Sequence, residues 1–251
     1  LKCLSVHIGS QILNHKPYEK MLKVVGKILK KSNNLNLKCL SVHIGSQILN
    51  IQPYKKMIKI VDGIIRKTKH DFEYIDLGGG MGINYDNKNK KLNLKKYCGV
   101  IKKFLKKRKS KIIFEPGRSI IGNSAVLLTK VIYIKEGHKK NFIILDTAMN
   151  DLMRPALYNA MHKILPVKKN NSKSKKIYEF VGPICESTDK FSTINKFQKL
   201  KEQDLLLICD VGAYGMSLSS NYNLRPKPIE LMIKNSKIQV IAKRQSLKEL
   251  I

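Results

Sequence analysis

The sequence predicts a parallel α/β portion followed by an all-β portion, and three observations carry that prediction. First, one apparent β–α unit occurs twice: LKCLSVHIGSQILN at positions 1–14 returns letter for letter at 37–50, 36 positions later (37 − 1). Second, two further apolar runs, FEYIDL and KIIFEPGR, follow the second copy and are separated by a stretch with helical periodicity. Third, the texture changes after Arg118, where short apolar runs alternate with turns and little is helical. The expected boundaries are 1–36 for the duplicated unit, 37–120 for the rest of the parallel portion and 121–251 for the β domain.

Each copy opens on the short apolar strand CLSVHI, turns through Gly-Ser, and enters an amphipathic stretch. In the second copy, Met57, Ile60, Val61, Ile64 and Ile65 recur at helical spacing in PYKKMIKIVDGIIRK. Pro53 near the start suits a first helical turn. The likeness outlasts the identical segment: Pro17-Tyr18 matches Pro53-Tyr54, Lys20-Met21 matches Lys56-Met57, and Val25 matches Val61. Next come the strand FEYIDL ending in GGGMG, the helix YCGVIKKFLKKRK and the strand KIIFEPGR. In the β domain, AVLLTKVIYI, NFIILD, IYEFVG, DLLLICDVG and IQVIA read as strands. Two near-identical copies and nothing else at that period are not a solenoid; the exact identity indicates a recent tandem duplication or an assembly error.

The totals exclude several function classes. No apolar run approaches the ~18 residues of a membrane span, so no membrane is expected. No basic leader precedes an apolar core, and the chain opens without Met. Five cysteines, an odd number with no C-x-x-C pair, argue against a disulfide framework and against a metal site, and for a reducing, cytoplasmic setting. The net charge of +31 invites a nucleic-acid reading. Lysine, however, travels with Asn along the whole chain, as in KKNNSKSKK, with no nucleic-acid-binding motif. The expectation is a sticky surface and no specific nucleic acid.

Candidate chemistry gathers at strand ends, where a β/α barrel carries its functional groups. Three strands end in His43, in Gly78-Gly79-Gly80 and in Glu115-Pro116-Gly117-Arg118. A glycine-rich turn there exposes N–H groups and admits an anion, phosphate being the natural guest. A lone His after an apolar strand also reads as a packed core residue, but three such ends in order point to a site. In the β domain, MNDLMRPALY sets Arg154 and Tyr158 four apart, GPICES puts Cys185 beside Glu186, and DVGAYG holds Tyr214 between small residues. Read alone, Cys185 is an inert buried thiol and Arg154 half of a surface ion pair.

HIGSQ, DLGGGMGI, EPGRS, MNDLMRPALY, VGPICES and GAYG, in this order, resemble the diaminopimelate decarboxylases, pyridoxal-phosphate enzymes of the alanine-racemase-like barrel type. The resemblance runs from about Leu37 to Ile251, and CES and RPALY are its most specific segments. It implies an incomplete (β/α) barrel, late strands only, followed by a C-terminal β domain. It implies pyridoxal 5'-phosphate as cofactor and an amino-acid substrate, meso-2,6-diaminopimelate, converted to L-lysine. A homodimer with its active site at the interface is implied as well.

By the same resemblance, Glu115 faces the pyridine nitrogen, His43 stacks on the ring, and Gly78–Gly80 with Glu115–Arg118 cradle the phosphate. Arg118, Arg154 and Tyr158 bind substrate, the arginines as bidentate carboxylate clamps. Glu186 reads the distal ammonium, Tyr214 touches cofactor and substrate, and Cys185 returns the proton as the catalytic residue. Only the second copy runs on into FEYIDLGGG, so His43 rather than His7 is the candidate. The Schiff-base lysine of the family belongs to an earlier strand, and Lys2 and Lys38 precede their strands, at the wrong end. The chain as written is therefore expected to be inactive. The alternatives are a sibling decarboxylase of another basic amino acid, which CES and RPALY disfavour, and a non-catalytic gene remnant.

Overall fold

A computed structural model describes the backbone of Cys3–His7 and residues 20, 23, 24, 26–28, 31, 37–85, 91–138 and 140–251. Residues 8–19, which carry the turn of the first copy, and residues 86–90 of the polar stretch lie outside the described residues, as does most of the first amphipathic stretch. The chain forms two compact units, Leu1–Ile120 and Ile121–Ile251.

The first unit is built on a four-stranded parallel sheet in the order β1 (Cys3–His7), β2 (Cys39–His43), β3 (Tyr74–Asp76), β4 (Lys111–Ile113). The two copies of CLSVH lie side by side, each residue level with its own duplicate from Cys3↔Cys39 to His7↔His43. Helix α1 (Ile51–Thr68) joins β2 to β3, and α2 (Leu94–Leu105) lies between β3 and β4. Both helices start at an Asn cap: the Asn50 side chain accepts from Gln52 N and that of Asn93 from Lys96 N. Lys69, in the left-handed conformation, ends α1 by donating its N–H to Ile65 O.

The apolar periods of sheet and helices meet in one core. Alternate residues Leu40 and Val42 of β2, with Ile75 and Leu77, are buried together with Tyr54, Met57, Val61 and Ile64 of α1 and Tyr97, Ile101 and Phe104 of α2. The Tyr54 and Tyr97 rings meet at a 45° tilt with centroids 4.5 Å apart, and burial pushes both phenols well above their usual range. Arg108 is tied to Asp62 of α1, donates to Phe104 O at 2.7 Å, and lies over the Phe104 ring. That ties α1 to the end of α2.

The second unit is a six-stranded mixed sheet in the order β7 (Ile164–Pro166), β10 (Leu205–Cys209), β5 (Val126–Glu136), β6 (Asn141–Leu145), β8 (Ile177–Val181), β9 (Lys190–Asn195). Only β6 and β8 pair in parallel within it. Its core holds Val131, Ile143, Leu145, Phe180, Leu206 and Ile208. A separate hairpin of β11 (Glu230–Lys234) and β12 (Lys237–Ala242) follows. The runs read as strands are strands; β7, a three-residue strand, β9, which is largely polar, and β11 were not read. No helix among the described residues is long and apolar enough to cross a membrane.

Candidate functional site

In the first unit the site is a set of laced strand ends. Asp76, the last residue of β3, is buried and accepts from the Ser41 hydroxyl of β2 and from Gly78 N, both at 2.8 Å. This bends the chain out of the strand into the glycine run. Gly78 and Gly80 adopt φ of +63° and +80°, conformations that favour glycine. Gly79 is required for a different reason: a Cβ there would lie 2.1 Å from the Glu115 carbonyl oxygen. The glycine run and the Glu115 loop therefore touch backbone to backbone, and Glu115 N donates to Gly78 O at 3.0 Å.

The loop after β2 closes on the same place. The Gly79 N–H points at His43 Nδ1 at 3.4 Å, so that nitrogen is on the accepting side of the ring. Ile48 N donates to Gly80 O at 2.9 Å and Gly82 N to Ile48 O at 3.1 Å. The Gln47 carboxamide accepts from Ile83 N at 3.2 Å and donates to Ile83 O at 2.5 Å. Arg118 reaches back to both loops, donating to the Tyr85 hydroxyl at 2.6 Å and to Ser46 Oγ at 3.1 Å. His43, Gly78, Gly79, Gly80, Glu115, Pro116 and Arg118 thus share one rim. Gly117 follows in the same loop, but no atom lies within 4 Å of a Cβ there. Lys38 sits at the opposite, amino end of β2, paired with Glu73 at 3.3 Å.

In the second unit the candidate residues occupy three loops. Arg154 and Tyr158 are the ends of the short helix α3 (Arg154–Tyr158), which closes at Asn159 in the left-handed conformation. Arg154 is not the surface ion-pair residue that the sequence alone suggested. It is 5% exposed and donates from Nη1 to His162 Nε2 at 2.7 Å. Tyr158, by contrast, is exposed. Cys185 is no buried thiol either; it and Glu186 are exposed on the loop after β8. Tyr214, on the loop after β10, has φ +59° and is half exposed. That loop is fixed by Gly212, whose N–H donates to Gly122 O at 3.1 Å.

Asp189 connects two of these loops. Buried, it accepts from Met149 N at 2.7 Å through Oδ1 and from Ile184 N at 2.9 Å through Oδ2. It stands where a Cβ on Gly182 would be, 2.2 Å from Oδ2. Burial pushes the Asp189 carboxyl up, against the two N–H bonds that favour its ionised form. Asp151 is raised by burial in the same way, while Ala148 N, Thr147 and Arg225 oppose the shift. Arg225 donates to Asn150 Oδ1 at 3.1 Å and to Asp146 O at 2.6 Å, which pins the loop leading to Arg154.

The sequence reading missed Asp76, Ser46, Tyr85, His162, Asp189 and Arg225. Asp76 had a signal, an Asp two before a glycine at a strand end, the spacing of a side-chain turn. The others become visible only once the fold joins segments far apart in the chain. No metal-binding group of His, Cys, Asp or Glu occurs among the described residues.

The family model described as "Pyridoxal-dependent decarboxylase, C-terminal sheet domain" matches residues 25–212. The chain is similar to the diaminopimelate decarboxylase of Aquifex aeolicus, 38% identical over 240 residues that are 96% of this chain and 49% of that protein. It is similar to that of Zymomonas mobilis, 44% identical over 184 residues, 72% of this chain and 43% of that protein. Among solved structures, diaminopimelate decarboxylase from Helicobacter pylori complexed with L-lysine aligns with a TM-score of 0.81 and 36% identity, covering 93% of this chain and 58% of that one. The chain spans about half the length of the curated relatives it matches.

Proposed function

Since the chain belongs to the pyridoxal-dependent decarboxylase family, we propose that it forms the late barrel strands and sheet domain of an enzyme converting meso-2,6-diaminopimelate to L-lysine. The observation that carries the reading is RPALY and CES standing on two loops joined by Asp189, in a chain 38% and 44% identical to diaminopimelate decarboxylases. Lysine and ornithine decarboxylases such as that of Vibrio vulnificus share the fold at 22% identity, which lends no support to a sibling substrate.

The rim of the first unit fits pyridoxal 5'-phosphate. Its glycines let three strand-end loops meet backbone to backbone, its carboxylate and imidazole come from neighbouring strand ends, and Arg118 supplies a fixed cation. Bound there, the cofactor supplies an electron sink for the pair left when carbon dioxide departs. Glu115 would face the ring nitrogen and keep its proton in place. His43 would orient the ring by stacking, and Gly78–Gly80 with Pro116 and Gly117 would cradle the phosphate. Arg118 and Arg154 would hold substrate carboxylate, with Tyr158 as a further substrate contact. Glu186 would bind the distal ammonium, Cys185 would supply a proton to the substrate carbon, and Tyr214 would contact both ligands. Cys185 and Glu186 are exposed, which suits completion of the site by a second copy in a cytoplasmic homodimer.

The test is a chimera in which residues 37–251 replace the corresponding part of the Aquifex aeolicus enzyme, assayed for L-lysine and carbon dioxide from meso-diaminopimelate. The chimera should form L-lysine, and Cys185→Ala should reduce the rate at least tenfold. A folded chimera that binds the cofactor and prefers lysine or ornithine as substrate would refute the reading. The chain by itself should release no carbon dioxide.

A further inference from the structure

We infer that His162, held as the neutral Nδ1–H tautomer, is a positioning residue that fixes the guanidinium plane of Arg154 for carboxylate binding. The inference rests on the proposed role of Arg154 and adds a residue to it. The protons follow from the partners. A guanidinium only donates, so His162 Nε2, 2.7 Å from Arg154 Nη1, must be the bare nitrogen. A carbonyl only accepts, so His162 Nδ1, 2.8 Å from Cys209 O, must carry the hydrogen. The two bonds assign one tautomer without conflict.

Its position gives that tautomer a task. His162 is 4% exposed and Arg154 5% exposed, so neither exchanges its partner readily for water. Cys209 ends β10, and its N–H donates to Lys163 O at 2.8 Å, so the backbone on both sides of the imidazole is anchored to a sheet strand. The chain runs strand to imidazole to guanidinium, and it sets the direction of the remaining Arg154 donors. A bidentate clamp depends on that direction, because both N–H bonds must lie in one plane with the carboxylate. α3 by itself is a helix of five residues and a weak platform.

The experiment uses the full chain labelled with nitrogen-15, together with His162→Gln, which keeps an acceptor toward Arg154, and His162→Leu, which does not. In the unsubstituted chain the imidazole spectrum should show His162 with a protonated Nδ1 and a bare Nε2. The Arg154 Nη–H signals should be resolved there and in His162→Gln, and broadened or lost in His162→Leu. Affinity for L-lysine, by calorimetry, should fall about tenfold in His162→Leu, equivalent to 1.4 kcal/mol, and recover most of the loss in His162→Gln. A protonated Nε2, or Arg154 signals unchanged in a folded His162→Leu chain, would overturn the inference. Should Arg154→Ala leave L-lysine affinity unchanged, the carboxylate role of Arg154 fails separately, and the spectra still decide whether His162 holds it.

Discussion

Gly79→Ala should loosen the strand-end rim by about 2–4 kcal/mol, although the backbone at Gly79 is one that alanine can adopt. The new Cβ would sit 2.1 Å from the Glu115 carbonyl oxygen, and real Cβ atoms do not come within 3.0 Å of such an atom. The loops must therefore part by at least 0.9 Å (3.0 − 2.1). Backbone lines both sides, so no side chain can swing away. Overpacking of this kind costs roughly 1–3 kcal/mol. The movement also stretches the 3.0 Å bond from Glu115 N to Gly78 O and the 3.3 Å bond from the Tyr54 hydroxyl to Gly79 O, about 1 kcal/mol more between them. The chain has no Trp and two units, so a global melt would blur the effect. Amide hydrogen exchange of peptides covering 74–85 and 111–118 reads it locally. Exchange should accelerate about 30- to 700-fold in Gly79→Ala. Gly117→Ala, with nothing within 4 Å of its Cβ, should match the unsubstituted chain. Equal exchange in Gly79→Ala and Gly117→Ala would refute the steric reasoning.

Asp62→Asn should destabilise the first unit by about 1–2 kcal/mol, because it weakens the hold on an Arg108 side chain that is 12% exposed; exchange of the α1 amides reports it. Asn93→Ala, which removes the cap accepting from Lys96 N, should cost about 1 kcal/mol and appear first as fraying of α2 in the same experiment. Burial, with Asp210 adding to it, pushes the Cys209 thiol up, so less of it is thiolate at a given pH. Iodoacetamide at about pH 8 should therefore modify exposed Cys98 and Cys185 before Cys209, as peptide masses will show. Burial also raises the Asp151 and Asp189 carboxyls, so between the ordinary carboxyl range and the raised folded values the native chain binds protons that the unfolded chain has released. Their contribution to stability falls as pH rises through that window, and Asp189→Asn should flatten the fall in urea midpoints taken from about pH 4 to about pH 7.

The parallel sheet and its two helices were legible because their signals are local. Alternating Leu40 and Val42, and helical Met57, Val61 and Ile64, each announce a period within a few residues. The site was half legible. Glycines and charged groups at strand ends can be located by topology, and His43, Gly78–Gly80 and Glu115 do share a rim. Burial was not legible for Arg154 or Cys185, because the exposure of each depends on partners far along the chain. His162, 8 residues from Arg154 (162 − 154), holds its guanidinium and is itself held by Cys209, 47 residues further on (209 − 162). Nothing in RPALY announces a histidine partner, and nothing in CES announces that Asp189 holds its loop to Met149.

Gln47 has a consequence for how ligands are felt at the rim. Its carboxamide gives and takes one hydrogen bond with Ile83, as a peptide group on a neighbouring strand would. The sheet is in this way extended by a side chain past the point where the backbones diverge. Glutamate at this position would keep the accepting oxygen and lose the donor, and asparagine would fall one carbon short. Because the stitch spans both loops, the segment holding His43 and Ser46 is bonded directly to the segment that follows the glycines. A group that grips either one is registered by the other, and the rigidity of the rim can be retuned at one side chain without rerouting the chain.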